Sequence, residues 1–218
     1  MISALSPLDL DEVLRYMGCP AEKADPETRT LVETCAREME AAARPRWTGR
    51  VLDITLEEDG VRLEGGLLLP GQDLRKHLEG CERAAVFCAT LSAQADALIR
   101  RWESRDMLRA LALDCCATAG VEQEIESQFP GCSFPFRFSP GYGDLPLELQ
   151  GEILHLLDAP RKIGLCASSS HILTPRKSVT AILGIARGEI QQTVRSCLSC
   201  PARESCQYRK SGGHCGIS

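Results

Sequence analysis

Strand and helix signals follow one another in this chain without the regular alternation that a parallel, doubly wound sheet requires. Residues 48–69 read as a hairpin: Val51, Ile54 and Leu56 lead into Glu58-Asp59-Gly60, Val61, Leu63 and Leu67–Leu69 lead out, and Pro70-Gly71 breaks the pattern. Residues 92–128 read as a long, broken helical stretch whose second part Asp106 can cap, with Met107, Leu111, Cys115 and Thr118 recurring on one face. Helices are expected over 8–17, capped by Asp9 or Asp11, and over 26–43, where Leu31, Cys35 and Met39 recur at helical spacing before Pro45 ends the region. Asp73 can start a short helix to about Leu78, and Ala84–Thr90 reads as a buried strand. A helix over 147–157 and strands near Ile163–Cys166, Ile172–Leu173 and Ser178–Ile185 complete the pattern. It predicts an α+β fold, with helices packed on a mostly antiparallel, twisted sheet.

A chain of 218 residues that is 44% apolar can bury one sizeable core, and composition shifts only near Gly188. Residues 1–188 are therefore expected to form the domain and 189–218 a tail. The apolar runs, such as Val179–Ala186, are far too short to span a bilayer, and the start MISALSPLDLDEVL lacks the basic end of a secretory signal. The expectation is a cytoplasmic protein with no membrane partner. A net charge of −5 argues against nucleic acid as the main partner. The charge is uneven: residues 161–218 carry nine Lys/Arg against two Glu, a net +7, which leaves −12 on residues 1–160. A basic C-terminal third suits an acidic protein partner.

Twelve cysteines in a reducing compartment point to burial or metal binding rather than to disulfides. Eight are scattered, at positions 19, 35, 81, 88, 115, 116, 132 and 166, mostly in apolar surroundings that suit small core residues. The other four crowd the tail as Cys197, Cys200, Cys206 and Cys215. A C-x2-C pair lets two thiolates reach one metal from a tight turn, and two more complete a four-thiolate site for an iron–sulfur cluster, the 4Fe-4S type included, or for zinc. Gly212-Gly213 leave the chain free to bring Cys215 home, and His214 is an alternative ligand. The spacing matches neither the bacterial ferredoxin run nor a zinc ribbon.

The run Arg137-Phe138-Ser139-Pro140-Gly141-Tyr142-Gly143-Asp144 sets a fixed cation, a rigid turn and an aromatic hydroxyl within six positions. Pro140 fixes its own φ and extends Ser139, while Gly141 and Gly143 permit positive φ and a close approach of backbone to a ligand. Arg137 offers a planar fork for a carboxylate, and Tyr142 a flat apolar face with a polar tip. Such a loop suits a small zwitterionic ligand carrying an aromatic ring.

From this loop to Arg187 the segment RFSPGYGDLPLELQGEILHLLDAPRKIGLCASSSHILTPRKSVTAILGIAR resembles the activation domain of cobalamin-dependent methionine synthase, in the stand-alone form found in anaerobic bacteria. The resemblance implies that Arg137 binds the carboxylate of S-adenosylmethionine, that Ser139 and Gly141 contribute main-chain contacts in the turn, and that Tyr142 packs at the ligand. It also implies a glutamate on the preceding long helix, for which Glu122 is the first candidate and Glu124 the second. Thr174–Ser178 falls where the family carries a Pro and a Ser-Val pair; Ser178 is expected to cap or pair with backbone. Lys177 departs from the family and is read as facing the corrinoid partner, or as a surface lysine. The family's N-terminal acidic anchor has no convincing counterpart.

No nucleophile, general base or catalytic triad stands out. This fits an accessory role in which the nucleophile is cobalamin on a partner and the chain holds the methyl donor. The implied function is reactivation of a partner methionine synthase that lacks its own activation domain, by reductive methylation of cob(II)alamin, with flavodoxin or ferredoxin as electron donor. Two other readings stand beside it: an activator of a different corrinoid methyltransferase protein, and a non-enzymatic, zinc-stapled binding module.

Overall fold

The structure, a computed structural model, describes residues 4–128, 137–186 and 204. In chain order it forms α1 (Leu10–Tyr16), a 3-10 turn (Ala21–Lys23), α2 (Pro26–Ala42), β1 (Arg46–Leu56), β2 (Gly60–Leu63), β3 (Leu68–Pro70), α3 (Gln72–His77), β4 (Cys81–Thr90), α4 (Ser92–Glu103), α5 (Met107–Gln128), α6 (Leu149–Leu157), α7 (Ala159–Ile163), β5 (Cys166–Ala167), β6 (Leu173–Thr174) and β7 (Ser178–Ala186).

Local signals set most of these limits. Asp9 accepts the amides of Asp11 and Glu12 at the start of α1, and Asp25 accepts that of Thr28 at the start of α2, where Pro26 occupies the first turn. Asp106 accepts the amide of Arg109 at 3.0 Å and opens α5. The hairpin pairs Ile54 with Leu63 and Leu56 with Val61, and β2 pairs antiparallel with β3 through Val61 and Leu69. The five-stranded sheet has the order β3-β2-β1-β4-β7, and β5 and β6 form a separate antiparallel pair. Every residue from Ala84 to Thr90 is buried, as expected for an inner strand covered on both faces.

Three local expectations are corrected. Ala159–Ile163, at the edge of the strand expected near Ile163–Cys166, is helical: Pro160 sits in its first turn, and Gly164, with φ +71°, stops it by donating its amide to Pro160 O at 3.1 Å. Only Cys166 of that stretch joins a strand. In α2 the buried residues are Val32, Cys35, Ala36 and Met39, so Leu31 lies at the edge of the apolar stripe. In α5, Met107 and Leu111 are exposed although they share a face with buried Cys115.

The chain divides into two compact units, one of Met1–Gly49, Phe87–Pro130 and Gln150–Thr180, the other of Arg50–Val86, Gly131–Leu149 and Ala181–Ser218. In the first, α1, α2 and α4 all pack on α5. The inward side of α5 carries Ala110, Ala112, Cys116, Ala117 and Ala119, small residues that let the neighbouring helices approach, with Leu113 and Ile125 filling the gaps. Burying each of those two larger side chains contributes about 1.5–3 kcal/mol. The segment before α1 is sewn to α5 by Gln123, whose amide side chain donates to Pro7 O and accepts from the Asp9 amide, both at 2.9 Å. In the second unit, α3 lies against β2, and Leu52, Val61, Leu63, Leu69, Leu74 and Phe138 are buried.

Candidate functional site

Within the second unit the Arg137 loop begins as a strand-like segment. Phe138 exchanges both backbone hydrogen bonds with Ile182 of β7, at 3.1 and 2.8 Å. Its ring is buried, 5.6 Å from the His77 ring and 6.3 Å from that of Tyr142, which meets it edge-on. Side chains alternate along an extended segment, so burial of Phe138 turns Arg137 and Ser139 toward the opposite side, where both are half-buried.

The chain then reverses. Ser139 O accepts the Tyr142 amide at 3.0 Å across Pro140-Gly141, and Gly141 has φ +89°, the geometry of a type II turn that needs glycine at its third position. Two more bonds close the loop: Gly141 N–H donates to Leu145 O at 2.9 Å, and Leu145 N–H to Tyr142 O at 3.0 Å. Pro140 is buried, and half the Tyr142 side chain is exposed above the turn beside Leu147.

A carboxylate absent from the sequence expectation holds this loop in place. Asp144 Oδ2 accepts the Gln72 amide at 2.6 Å and Oδ1 accepts the Asp73 amide at 3.1 Å, so the loop caps α3 from 72 positions away in sequence. The residue at the N-cap of α3 is Gly71, which has no side chain to do this. A methyl group added at Gly71 would stand 2.4 Å from Asp144 Oδ1, and one at Gly143 would stand 2.5 Å from Asp73 Oδ2. The clamp continues into the hairpin turn: Gln72 Nε2 donates to Glu58 O at 2.6 Å, Arg75 Nε to Glu57 O at 2.8 Å and Gly71 N–H to Asp59 O at 3.0 Å. Arg62 grips the Glu57 carboxylate with two bonds, which hold that carboxyl below its ordinary range.

Arg137, Ser139, Gly141 and Tyr142 thus come together on one clamped turn. Glu122 and Glu124 lie in the other unit, on α5; Glu124 is buried and Glu122 half-buried. The Tyr16 hydroxyl is raised above its ordinary pKa by burial first and by the nearby Glu122 charge second, while the Arg15 guanidinium stacks 4.4 Å over the Tyr16 ring. The four tail cysteines, His214 and Cys132 lie outside the described residues. Among the described residues no group of three or more His, Cys, Asp or Glu is placed to hold a metal ion, and no helix is long and apolar enough to cross a membrane.

The Thr174–Ser178 segment belongs to the first unit, and Lys177 departs there from both expectations. Its side chain is only 13% exposed, and its ammonium lies 2.9 Å from Asp114 Oδ1 and donates to Thr118 Oγ1 at 3.0 Å. The lysine therefore ties the segment to α5 rather than facing outward. Ser178 Oγ lies 2.7 Å from both Pro175 O and Thr90 Oγ1, in keeping with a pairing role. Buried Asp96 on α4 accepts the amides of Arg176 at 2.7 Å and Lys177 at 3.3 Å. Asp96→Ala leaves both donors without their acceptor and is expected to cost about 2–3 kcal/mol, with Asp96→Asn costing about half as much. The denaturant midpoint at unchanged slope measures it, and a midpoint unmoved by Asp96→Ala would deny the segment this anchor.

No family model and no curated protein matches the sequence. Among solved structures, one of the MetH reactivation domain bound to AdoHcy matches with a TM-score of 0.65 and 12% identity, covering 98% of this chain and 85% of that one. The chain therefore has the α+β fold of that reactivation domain, the fold that the resemblance around Arg137 implies.

Proposed function

We propose that this chain binds S-adenosylmethionine on the Arg137 turn and reactivates a cobalamin-dependent methionine synthase that lacks its own activation domain. The observation that carries the reading is the clamped turn itself, on the fold of a domain solved with AdoHcy. Arg137 would take the ligand's carboxylate, the Ser139–Gly141 main chain would line it, and Tyr142 would cover its base or ribose. These groups fit such a ligand chemically: a planar cation, a rigid backbone edge and a half-exposed aromatic face. Bound there, S-adenosylmethionine supplies an electrophilic sulfonium methyl group.

The protein's own work is proximity and orientation. A turn fixed by Phe138, Pro140 and Asp144 loses little freedom when a ligand settles on it, so more of the contact energy is left for affinity. The corrinoid nucleophile and its electron belong to partner proteins, with flavodoxin or ferredoxin as the donor. An iron–sulfur cluster or zinc on Cys197, Cys200, Cys206 and Cys215, and a cytoplasmic location, complete the proposal.

Calorimetric titration of anaerobically purified protein with S-adenosylmethionine tests it. Wild type should bind saturably. Arg137→Ala removes a charge-assisted contact worth about 1.5–3 kcal/mol, a loss of roughly 10- to 150-fold in affinity. Folded wild type that takes up no ligand, or an Arg137→Ala variant that binds equally well, overturns the assignment.

A further inference from the structure

The corner between α4 and α5, in the first unit, carries a surface that the ligand turn does not use. Met107, Leu108 and Leu111 are 70%, 57% and 46% exposed and lie on adjoining faces of the first two turns of α5. Soluble proteins scatter single exposed apolar residues, but three large ones on two turns of one helix form a patch.

Charge around the patch is divided. The carboxylates of the corner already have partners: Asp106 caps α5, Glu38 pairs with Arg109, Asp114 with Lys177, and Glu103 with Arg176 at 3.5 Å. Arg100, Arg101 and Arg105 are exposed and, among the described residues, make no ion pair. The corner therefore presents an apolar centre beside three outward cations. Its base is firm, because the Arg109 guanidinium stacks 4.2 Å over Trp102 and ties α5 to α4 while its pair with Glu38 ties both to α2.

We infer that this corner docks an acidic protein surface with apolar side chains at its centre. A second copy of the chain is disfavoured, since an isologous contact would bring the arginines of one corner close to those of the other. A lipid surface fits less well, since the apolar strip spans only two turns of the helix. The identity of the partner rests on the reading proposed above and falls to its electron donor or its cobalamin protein; the surface itself does not rest on that reading.

The test titrates wild type separately with a flavodoxin and with the cobalamin-binding module of a methionine synthase. It repeats both with Leu108→Asp/Leu111→Asp and with Arg101→Glu/Arg105→Glu. All four positions are exposed, so the variants should fold, and calorimetry with S-adenosylmethionine should return the wild-type affinity. At least one acidic probe should bind wild type, weaken with salt, and lose about tenfold or more with each variant. The inference is overturned if neither probe binds, if the variants bind as well as wild type, or if only vesicles of phosphatidylcholine and phosphatidylserine discriminate between them. Loss of ligand binding by wild type would sink the Arg137 assignment instead, and the two failures are read in different titrations.

Discussion

Stability is expected to collapse between about pH 9 and pH 11, where the arginines are still fully charged. The cause is four thiols in the first unit. Cys35, Cys88, Cys115 and Cys116 are all buried. Burial in apolar surroundings disfavours the thiolate, pushing Cys35 and Cys115 up to about 11 and Cys88 to about 12, with Cys116 raised furthest. In the unfolded chain the same groups ionise near pH 8.5. The folded state therefore holds protons that the unfolded state releases, so stability is intact below about pH 8.5 and falls as pH rises toward the folded values. Each thiol contributes a slope of about 1.4 kcal/mol per pH unit, and four together about 5, against a total stability of about 5–15 kcal/mol. Urea midpoints measured in reductant from pH 7 to 11 check this. A midpoint flat to pH 11 would mean the thiols are hydrated, and Cys88→Ala should remove about a quarter of the slope. In the native protein at pH 8, exposed Cys166 should react with a disulfide reagent while these four stay silent.

Cys35, Cys88, Cys115 and Cys116 were legible as core because burial leaves a local compositional signal, whereas Cys19 and Cys81 are half-buried and Cys166 is exposed. The caps at Asp9 and Asp106 were legible from residue type at a helix start, and the cap at Asp25 was found only in the structure. The hairpin was legible because Glu58-Asp59-Gly60 interrupts two runs of strand-forming residues. Coverage is different. Periodicity in α5 marks Met107, Leu111, Cys115 and Thr118 as one face, but only the fold decides that the Thr174–Ser178 segment covers one end of it, through Lys177 and Asp114, and leaves the other open. The short helix at Ala159–Ile163 escaped the sequence reading because five residues are too few to show a period, and the stop at Gly164 is a matter of backbone φ.

The candidate site divides the same way. Arg137, Pro140, Gly141 and Tyr142 are neighbours in sequence, so their turn could be read from residue types. Asp144 is adjacent to them but spends its carboxylate on amides 72 and 71 positions earlier, and no local pattern reports that. Gly71 reads as a strand breaker; the fold makes it also the place where a side chain would displace the clamp.

That clamp predicts a non-additive pair of substitutions. Asp144→Ala removes the acceptor of the Gln72 and Asp73 amides, which water replaces in part, at a cost of about 1–2 kcal/mol. Gly71→Ala should cost more, about 2–4 kcal/mol, because φ at Gly71 is +126° and the new methyl group would stand 2.4 Å from Asp144 Oδ1. With Asp144 already truncated, the backbone strain at residue 71 persists but the collision is gone. The double variant should then be more stable than the sum of the single losses by about 1–2 kcal/mol. Denaturant titration of the four proteins measures this coupling, and losses that add within about 0.5 kcal/mol would show that the carboxylate and the glycine do not act as one clamp. Ligand affinity should follow the same order, with wild type binding tightest, since either single change frees the turn that carries Arg137 and Tyr142. A Gly71→Ala protein that stays folded yet binds S-adenosylmethionine like wild type would separate the turn's rigidity from its recognition, leaving Arg137 alone to account for affinity.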